Sequence, residues 1–440
     1  MDAPFATAPG DSAAPLAKHF RSALGSHVLV VPHSRIFDLA PGQDLDSRFG
    51  GLPPSLLAAL ADTARGEVPL DHVVQPAPQS ISLNVSSSCN LSCSYCYAAR
   101  GAFDGAQPEP MPWEIARAAI DKLLTHADPT APVTVGFLGG EPFVNRRLLH
   151  RAVEYAAAEG SRRSLDVRFS VTTNGTLLRE EDVDLLRRHA FAVTVSVDGG
   201  EQIQNAQRPA LPGRRSYDLL RGAIQPLLAN SGLARVSARA TVRSGAFDLA
   251  DRFEAILALG FPEVGFAPLR TAKPGQGALN EQEWPLYLDG MVALANAELG
   301  RFYNEGSLRL TNLAVALKQI YRGASSPYPC GAGGGYFSVA ANGDWYACHR
   351  AIGSAAFRLG DNGGLDPDRR KEFLVQRHVH SQSACRQCWA RYLCSGGCHQ
   401  EASDRTDSSC GFIRGWLEFC LAAYCELFER RPEFFTASAD

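Results

Sequence analysis

The sequence predicts an α/β protein: a parallel β-sheet curled as a whole or partial (β/α)6 barrel, with a cysteine-rich C-terminal extension and a small N-terminal α+β module. Three observations predict it. Six β-branched or aromatic runs ending in Gly, Ser, Asn or Asp alternate with amphipathic helical patterns. Of 12 cysteines, three lie at 89–96 and nine between 330 and 425. The chain of 440 residues, 45% hydrophobic and 20% charged, is long enough for two or three domains with full cores.

At the N-terminus, HVLVVPHSRIFDLAPG (27–42) reads as two short strands and LPPSLLAALADTARG (52–66) as a capped helix stopped by glycine. The six strand candidates are ISLNVSS (81–87), VTVGFLGG (133–140), DVRFSVTTNG (166–175), FAVTVSVDGG (191–200), RVSARATVR (235–243) and EVGFAPLR (263–270). Apolar residues at three- and four-residue spacing predict helices at 113–127, 145–160, 180–190, 216–230 and 249–260. Units in this order predict right-handed crossovers and place the chemistry beyond the carboxyl ends of the strands. Expected boundaries are 1–78 for the N-terminal module, 79–300 for the barrel and 301–440 for the extension. A last helical pattern at 412–431 carries Cys420 and Cys425, which read as packing residues.

A formal net charge of −3, from 43 basic and 46 acidic residues without a like-charge block, gives no footprint for nucleic acid or an anionic membrane. The first 25 residues lack a basic segment followed by an apolar run, so a soluble, cytoplasmic protein is expected. In a reducing compartment disulfides are disfavoured, and metal or cluster binding becomes the leading use of the thiols.

The stretch SSSCNLSCSYCYAAR (86–100) follows the first strand and puts Cys89, Cys93 and Cys96 into eight residues. One tetrahedral metal ion wants four ligands and a redox dithiol wants two, so three leaves a position open. Gly139-Gly140-Glu141-Pro142, Thr172-Thr173-Asn174-Gly175 and Ser196-Val197-Asp198-Gly199 end the next three strands and converge on the same rim. Singly, each reads as a glycine turn before a helix.

Together, Cys89-x3-Cys93-x2-Cys96 with Tyr95, followed by GGEP, TNGT and SVDG, resembles the radical S-adenosylmethionine enzymes over about residues 80–400. The resemblance implies a [4Fe–4S] cluster on Cys89, Cys93 and Cys96, with S-adenosylmethionine chelating the fourth iron and yielding a 5′-deoxyadenosyl radical. It assigns Gly139, Gly140 and the Glu141 carboxylate to the methionine amino group. Ser196 and Arg208 fall to its carboxylate, and Asn174, Asp198 and Arg239 are further cofactor contacts. Gln204-Asn205 stands where a typical member has His-Asp. Arg239, a charge in a mostly apolar strand, either faces the lumen or pairs structurally.

Cys330, Gly343, Cys348, Cys385-x2-Cys388-x5-Cys394-x3-Cys398 and Cys410 resemble the SPASM extension; CRQC and CSGGC alone would also fit a zinc ribbon. The resemblance implies two auxiliary [4Fe–4S] clusters, one on Cys385, Cys388, Cys394 and Cys410, the other on Cys330, Cys348 and Cys398. The eighth cysteine of fully ligated relatives is missing from GASSPYP (323–329), which predicts an open auxiliary iron. Trp389, Tyr392 and Trp416 are expected to pack around the clusters, and His349 and His399 to act as hydrogen-bond donors beside them.

The expected function is peptide maturation. The segments at 328–339 and 388–401 look most like thioether-forming maturases, such as those acting on the small subunit of quinohaemoprotein amine dehydrogenase. The substrate is then a small polypeptide with Cys and Asp or Glu, and flavodoxin or ferredoxin the electron donor. Alternatives are carbon–carbon cross-linking, a formylglycine-forming sulfatase maturase, or a non-enzymatic iron–sulfur carrier. The N-terminal module resembles a leader-binding domain that takes up its ligand as an added strand, with a structural lid as the other reading. No residue stands out as catalytic base.

Overall fold

The computed structural model describes residues 14–41, 54–62, 67–70, 73–103, 109–210, 214–270, 275–323 and 325–436. Strands β1 (Ala17–Ser22), β2 (Gly25–Val30) and β3 (Arg35–Leu39) form an antiparallel sheet in the order β1-β2-β3, followed by helix α1 (Pro54–Ala61). The second and third strands match the two expected at 27–42; β1 went unread because AKHFRS mixes charge with apolar residues. The glycine stop expected at Gly66 lies outside the described residues, as do Gly42 and Ala324.

The main sheet is built from β4 (Ser80–Ser86), β5 (Val133–Gly139), β6 (Val167–Thr173), β7 (Phe191–Ser196), β8 (Arg235–Val242) and β9 (Val264–Pro268). They lie side by side in sequence order, every pair parallel. The crossovers carry α2 (Trp113–His126), α3 (Arg146–Arg162), α4 (Glu180–Arg188), α5 (Glu201–Gln207), α6 (Ser216–Ala229) and α7 (Leu249–Leu257). Five of these match the expected helices. The sixth, α5, is short, and its sequence EQIQNAQ shows little apolar periodicity.

Strand alternation separates two faces. In β8, Val236, Ala238, Ala240 and Val242 are buried, whereas Arg235 and Arg239 are exposed. The buried set joins Phe253 and Ile256 of α7 in the principal core. The other face carries Ser196, Arg239 and Thr241 beside one another.

Beyond α8 (Glu283–Glu305) and α9 (Thr311–Arg322), the chain returns to the sheet. Strand β10 (Tyr336–Val339) pairs in parallel with β4, opposite the side taken by β5. Strands β11 (Trp345–Tyr346), β12 (Arg358–Asp361) and β13 (Gly364–Leu365) continue it antiparallel, giving ten strands in all. Helix α10 (Pro367–Arg377) starts on Asp366, whose carboxylate accepts from the Asp368 and Arg369 amides. Helix α11 (Asp407–Arg430) opens with a capping box between Thr406 and Ser409. The cysteine-rich extension is thus part of the barrel sheet. Among the described residues no helix is long and apolar enough to cross a membrane.

A charged hub helps fasten the N-terminal module to the extension, beside a Lys18–Glu418 ion pair at 3.2 Å. Arg391, 1% exposed, donates to Glu67 Oε1 at 2.7 Å and to the Pro15 carbonyl at 2.8 Å. The Tyr392 hydroxyl bonds to Glu67 and accepts from the Val68 amide at 3.0 Å, with His380 Nε2 2.7 Å away. Tyr392, expected to pack beside a cluster, uses its hydroxyl to hold this hub. Burial opposes ionisation of Glu67, but hydrogen bonds from His380, Tyr392 and Arg391 outweigh it and lower its pKa from 4.5 to about 2. A carboxylate with a depressed folded-state pKa contributes stability that is fully present above the unfolded value and lost as pH falls through the folded one. Chemical denaturation from pH 7 to 2 should show wild type more stable than Glu67→Gln near neutrality. That difference should shrink between about pH 4.5 and 2; a constant difference would place the effect in packing instead of charge.

Candidate active site

The three-cysteine loop follows β4 and is docked by backbone contacts. The Gly140 amide donates to the Ser86 carbonyl at 2.7 Å, and the Glu141 amide to the Ser88 carbonyl at 2.9 Å. A Cβ at Gly140 would stand 2.3 Å from the Ser88 oxygen. At Gly139, whose φ is +144°, it would stand 2.3 Å from the Ser86 oxygen. The double glycine therefore exists because the GGEP turn and the cysteine loop touch backbone to backbone.

The Glu141 side chain is fully enclosed. Its Oε1 accepts from Thr173 Oγ1 at 2.7 Å and from the Phe143 amide at 3.2 Å, and Oε2 accepts from the Asn174 amide at 2.7 Å. Burial pushes its pKa up to about 7 against these donors. The carboxylate thus ties the end of β5 to the end of β6. Asn174 in turn reaches the cysteine loop, donating from Nδ2 to Asn90 Oδ1 at 2.9 Å and towards Cys89 Sγ at 3.7 Å.

Asp198, fully buried, organises the next strand ends. It takes Arg208 Nη2 at 3.1 Å, the Thr241 amide at 2.9 Å and the Tyr95 hydroxyl, while its own amide donates to Gln204 Oε1 at 2.9 Å. Asp198 is a holder of Arg208 and Tyr95, with its oxygens engaged inside the protein. The departure at Gln204-Asn205 is also accounted for: Gln204 fixes the SVDG turn, and Asn205 Oδ1 caps α6 by accepting from the Tyr217 amide at 3.0 Å. The Arg208 guanidinium lies 5.4 Å from the Tyr95 ring and within electrostatic reach of Cys93. Ser196 lies directly across from Arg239 in the β7–β8 register.

The ten motif cysteines fall into three electrostatically coupled sets. Cys89, Cys93 and Cys96 act on one another; so do Cys330, Cys348 and Cys398; so do Cys385, Cys388, Cys394 and Cys410. Among the described residues no three His, Cys, Asp or Glu side chains converge closely enough to hold one metal ion directly. Every set contains a sulfur that accepts from the amide two residues on: Cys89 from Leu91, Cys348 from Arg350 and Cys388 from Ala390, each at 3.4 Å. Arg405 adds a bond to Cys385 Sγ at 2.9 Å. Such donors favour thiolate over thiol, and burial opposes them, pushing Cys89 up to about 12 and Cys348 to about 11. Coordination to iron would remove that opposition, so the donor set fits thiolate-ligated clusters. Cys420 differs: it is fully buried on α11 in the apolar core, and burial alone sets its pKa.

Between the first two sets, sequence reasoning named His349 but missed Tyr97, Arg350 and Glu401. Tyr97 is within electrostatic reach of both Cys96 and Cys348, its ring 5.4 Å from the Arg350 guanidinium and edge-on to His349. His349 Nδ1 is 2.9 Å from the Tyr336 hydroxyl, and burial with Arg350 and Arg239 nearby pushes its pKa down to about 4, leaving it neutral. His399 accepts from Arg377 Nε at 3.3 Å. Glu401, buried, bridges Arg350 Nη1 at 2.6 Å and Arg270 Nε at 3.4 Å. A cavity of about 360 Å³ opens here, lined by Arg270, Trp284, Cys398, Glu401, Arg405 and Ser409 among others. The only sequence signal was adjacency, since Tyr97, His349 and Arg350 each stand one or two places from a motif cysteine.

Residues 83–223 match the Radical SAM superfamily, and the parallel-dominated α/β sheet with its cysteine-rich C-terminal region has the fold of the solved structure named below. Among curated relatives, the serine-type anaerobic sulfatase-maturating enzyme of Klebsiella aerogenes is 23% identical over 373 residues, 81% of this chain and 86% of that protein. The mycofactocin maturase MftC of Mycolicibacterium smegmatis is 27% identical over 335 residues, 73% of this chain and 78% of its own. The solved structure of anSMEcpe with bound AdoMet superposes with a TM-score of 0.69 at 20% identity, over 82% of this chain and 97% of that one.

The glycine contact yields a prediction. Gly140→Ala should destabilise the docked cysteine loop by about 1–3 kcal/mol through overpacking, seen as a lower thermal midpoint and lower iron retention. Gly200→Ala is the control, because its Cβ would meet only the Ala255 methyl at 3.5 Å. Equal behaviour of the two variants would mean that the turn and loop do not need this approach.

Proposed function

We propose that this protein is a radical S-adenosylmethionine peptide maturase that joins a cysteine sulfur to a carbon of an Asp or Glu side chain within a ribosomally made polypeptide. The small subunit of quinohaemoprotein amine dehydrogenase is the model for such a substrate. The observation that carries the reading is the presence of two three-thiol sets, Cys89/Cys93/Cys96 and Cys330/Cys348/Cys398, with Tyr97 within electrostatic reach of Cys96 in the one and Cys348 in the other. Cys89, Cys93 and Cys96 would hold the cluster that binds S-adenosylmethionine. Together these supply hydrogen-atom abstraction when bound.

The chain's own residues then have distinct tasks. The Gly139-Gly140 backbone faces the methionine amino group, and Ser196 with Arg208 holds its carboxylate, Asp198 fixing the guanidinium. Asn174 and Glu141 brace the loop. Cys385, Cys388, Cys394 and Cys410 complete a four-thiolate set, whereas Cys330, Cys348 and Cys398 are one donor short, which leaves a fourth ligand position for a substrate thiolate. Bond formation would remove one hydrogen atom from carbon and the proton from sulfur, and clusters held by the extension cysteines would supply an acceptor for the surplus electron. Flavodoxin or ferredoxin fits the role of electron donor. The N-terminal sheet, with β3 at its edge, offers a leader segment a strand to pair with.

A second reading, oxidation of Cys or Ser to formylglycine, is favoured by the likeness to sulfatase maturases. Product mass separates the two: thioether formation makes a Cys/Asp peptide lighter by two hydrogen atoms per bridge with loss of one thiol. An aldehyde would reject this reading in favour of the second. Anaerobically reconstituted protein should hold on the order of twelve irons per chain. Replacing Cys89, Cys93 and Cys96 with Ala should leave about eight and abolish S-adenosylmethionine cleavage. Wild-type iron near four, with tightly bound zinc, would remove the auxiliary clusters from the proposal.

A further inference from the structure

Arg239, on the sheet face away from the buried core, has no counter-charge among the described residues. It lies in β8 between Ser196 of β7 and Gly265 of β9, on the face opposite the buried residues Ala238 and Ala240. Among the described residues no carboxylate lies within ion-pair distance of it. Its charged neighbour is another guanidinium, Arg350, and both removal from water and that neighbour lower its pKa. Arg350 and a third guanidinium, Arg270, share the single carboxylate of Glu401. Elsewhere in the barrel, buried arginines end on acids: Arg252 on Asp248 at 3.1 Å, Arg146 on Asp182 at 2.8 Å. With a second guanidinium as its charged neighbour and no acid of its own among the described residues, Arg239 attracts an anion.

A second, independent feature points to the same place. Tyr287 of α8 is fully buried and its hydroxyl has no hydrogen-bond partner among the described residues, while Arg239 and Arg270 both act on it. An enclosed donor left unmade is costly, and such groups in native proteins normally await a ligand or water. Burial keeps the phenol protonated, so it can donate. A carboxylate placed here would take the guanidinium fork and the hydroxyl together, whereas a thiol or an amide would leave the charge uncompensated.

We propose that Arg239 and Tyr287 seat a carboxylate of the peptide substrate, and so select an acidic residue for the reaction. The assignment rests on the maturase reading and moves Arg239 from cofactor to substrate, leaving Arg208 for the methionine carboxylate. An Asp or Glu side chain and a free peptide C-terminus share this chemistry, and blocked termini separate them.

Titration calorimetry on the cluster-reconstituted protein with S-adenosylmethionine tests it, using three heptapeptides that contain one cysteine. One has Asp and blocked termini, one has Asn in its place, and one has Asn with a free C-terminal carboxylate. Wild type should bind the Asp peptide roughly tenfold or more tightly than the blocked Asn peptide, the worth of a charge-assisted hydrogen bond. Arg239→Gln should erase that preference, and Tyr287→Phe should reduce it. Equal rescue by the C-terminal carboxylate would support a general carboxylate seat, and none would restrict it to the side chain. Charge-blind binding by wild type, which depends on no variant, overturns the proposal. So does a loss of S-adenosylmethionine affinity in Arg239→Gln, which would return the residue to the cofactor. Failure of wild type to cleave S-adenosylmethionine would sink the maturase reading itself, whereas intact cleavage with charge-blind peptide binding sinks only the Arg239 and Tyr287 assignment.

Discussion

The parallel pairing of β10 with β4 is the contact on which the rest of the site depends. Strand β4 delivers the loop of Cys89, Cys93 and Cys96 from its carboxyl end. Because β10 runs alongside it in the register Tyr336↔Ser80 to Val339↔Leu83, the hairpin beyond β10 is delivered to the same rim. Cys348 follows β11 directly, and Tyr97 comes to lie between the two thiol sets. A flexible tether between separate domains would leave that spacing to chance. Backbone hydrogen bonds of a shared sheet fix it, and Ser338 Oγ, donating to the Ser82 carbonyl at 3.1 Å, adds a side-chain tie within the pair.

Around this frame, polar groups are arranged so that most charges in the mouth are already paired. Asp198 gathers Arg208, Tyr95 and a β8 amide. Glu141 closes the ends of β5 and β6, and Glu401 balances two arginines beside Cys398. Each is a buried carboxylate whose desolvation is offset by several donors, so each fixes a geometry more than it adds stability. Among the described residues, Arg239 has no acid and the Tyr287 hydroxyl no partner, which sets them apart from these paired groups.

The extension also anchors the N-terminal module, through Arg391 and Tyr392, two residues placed between Cys388 and Cys394. Folding around the third thiol set and docking of the module are therefore one event in space. A module held in this way stands fixed relative to the chamber, with its edge strand β3 in a constant position.

The order of the six barrel strands and five of their crossover helices, the three-thiol loop, the GGEP, TNGT and SVDG turns and the seven-cysteine pattern were all determined by sequence alone. Each is a local signal: alternation, helical spacing, glycine where backbones must touch, or thiols at short intervals. The partition of seven extension cysteines into sets of four and three was legible only through family resemblance. The tertiary structure decided what lies between the sets. That Glu141 binds Thr173 and Asn174, that Asp198 is surrounded by donors, that Arg239 has no acid and Tyr287 no partner, depends on which side chains from distant segments meet. Pairings such as Arg391 with Glu67, separated by more than three hundred residues, leave no periodicity in the chain. Burial and counter-charge are properties of the packed rim, and they exist only once β4 and β10 have joined.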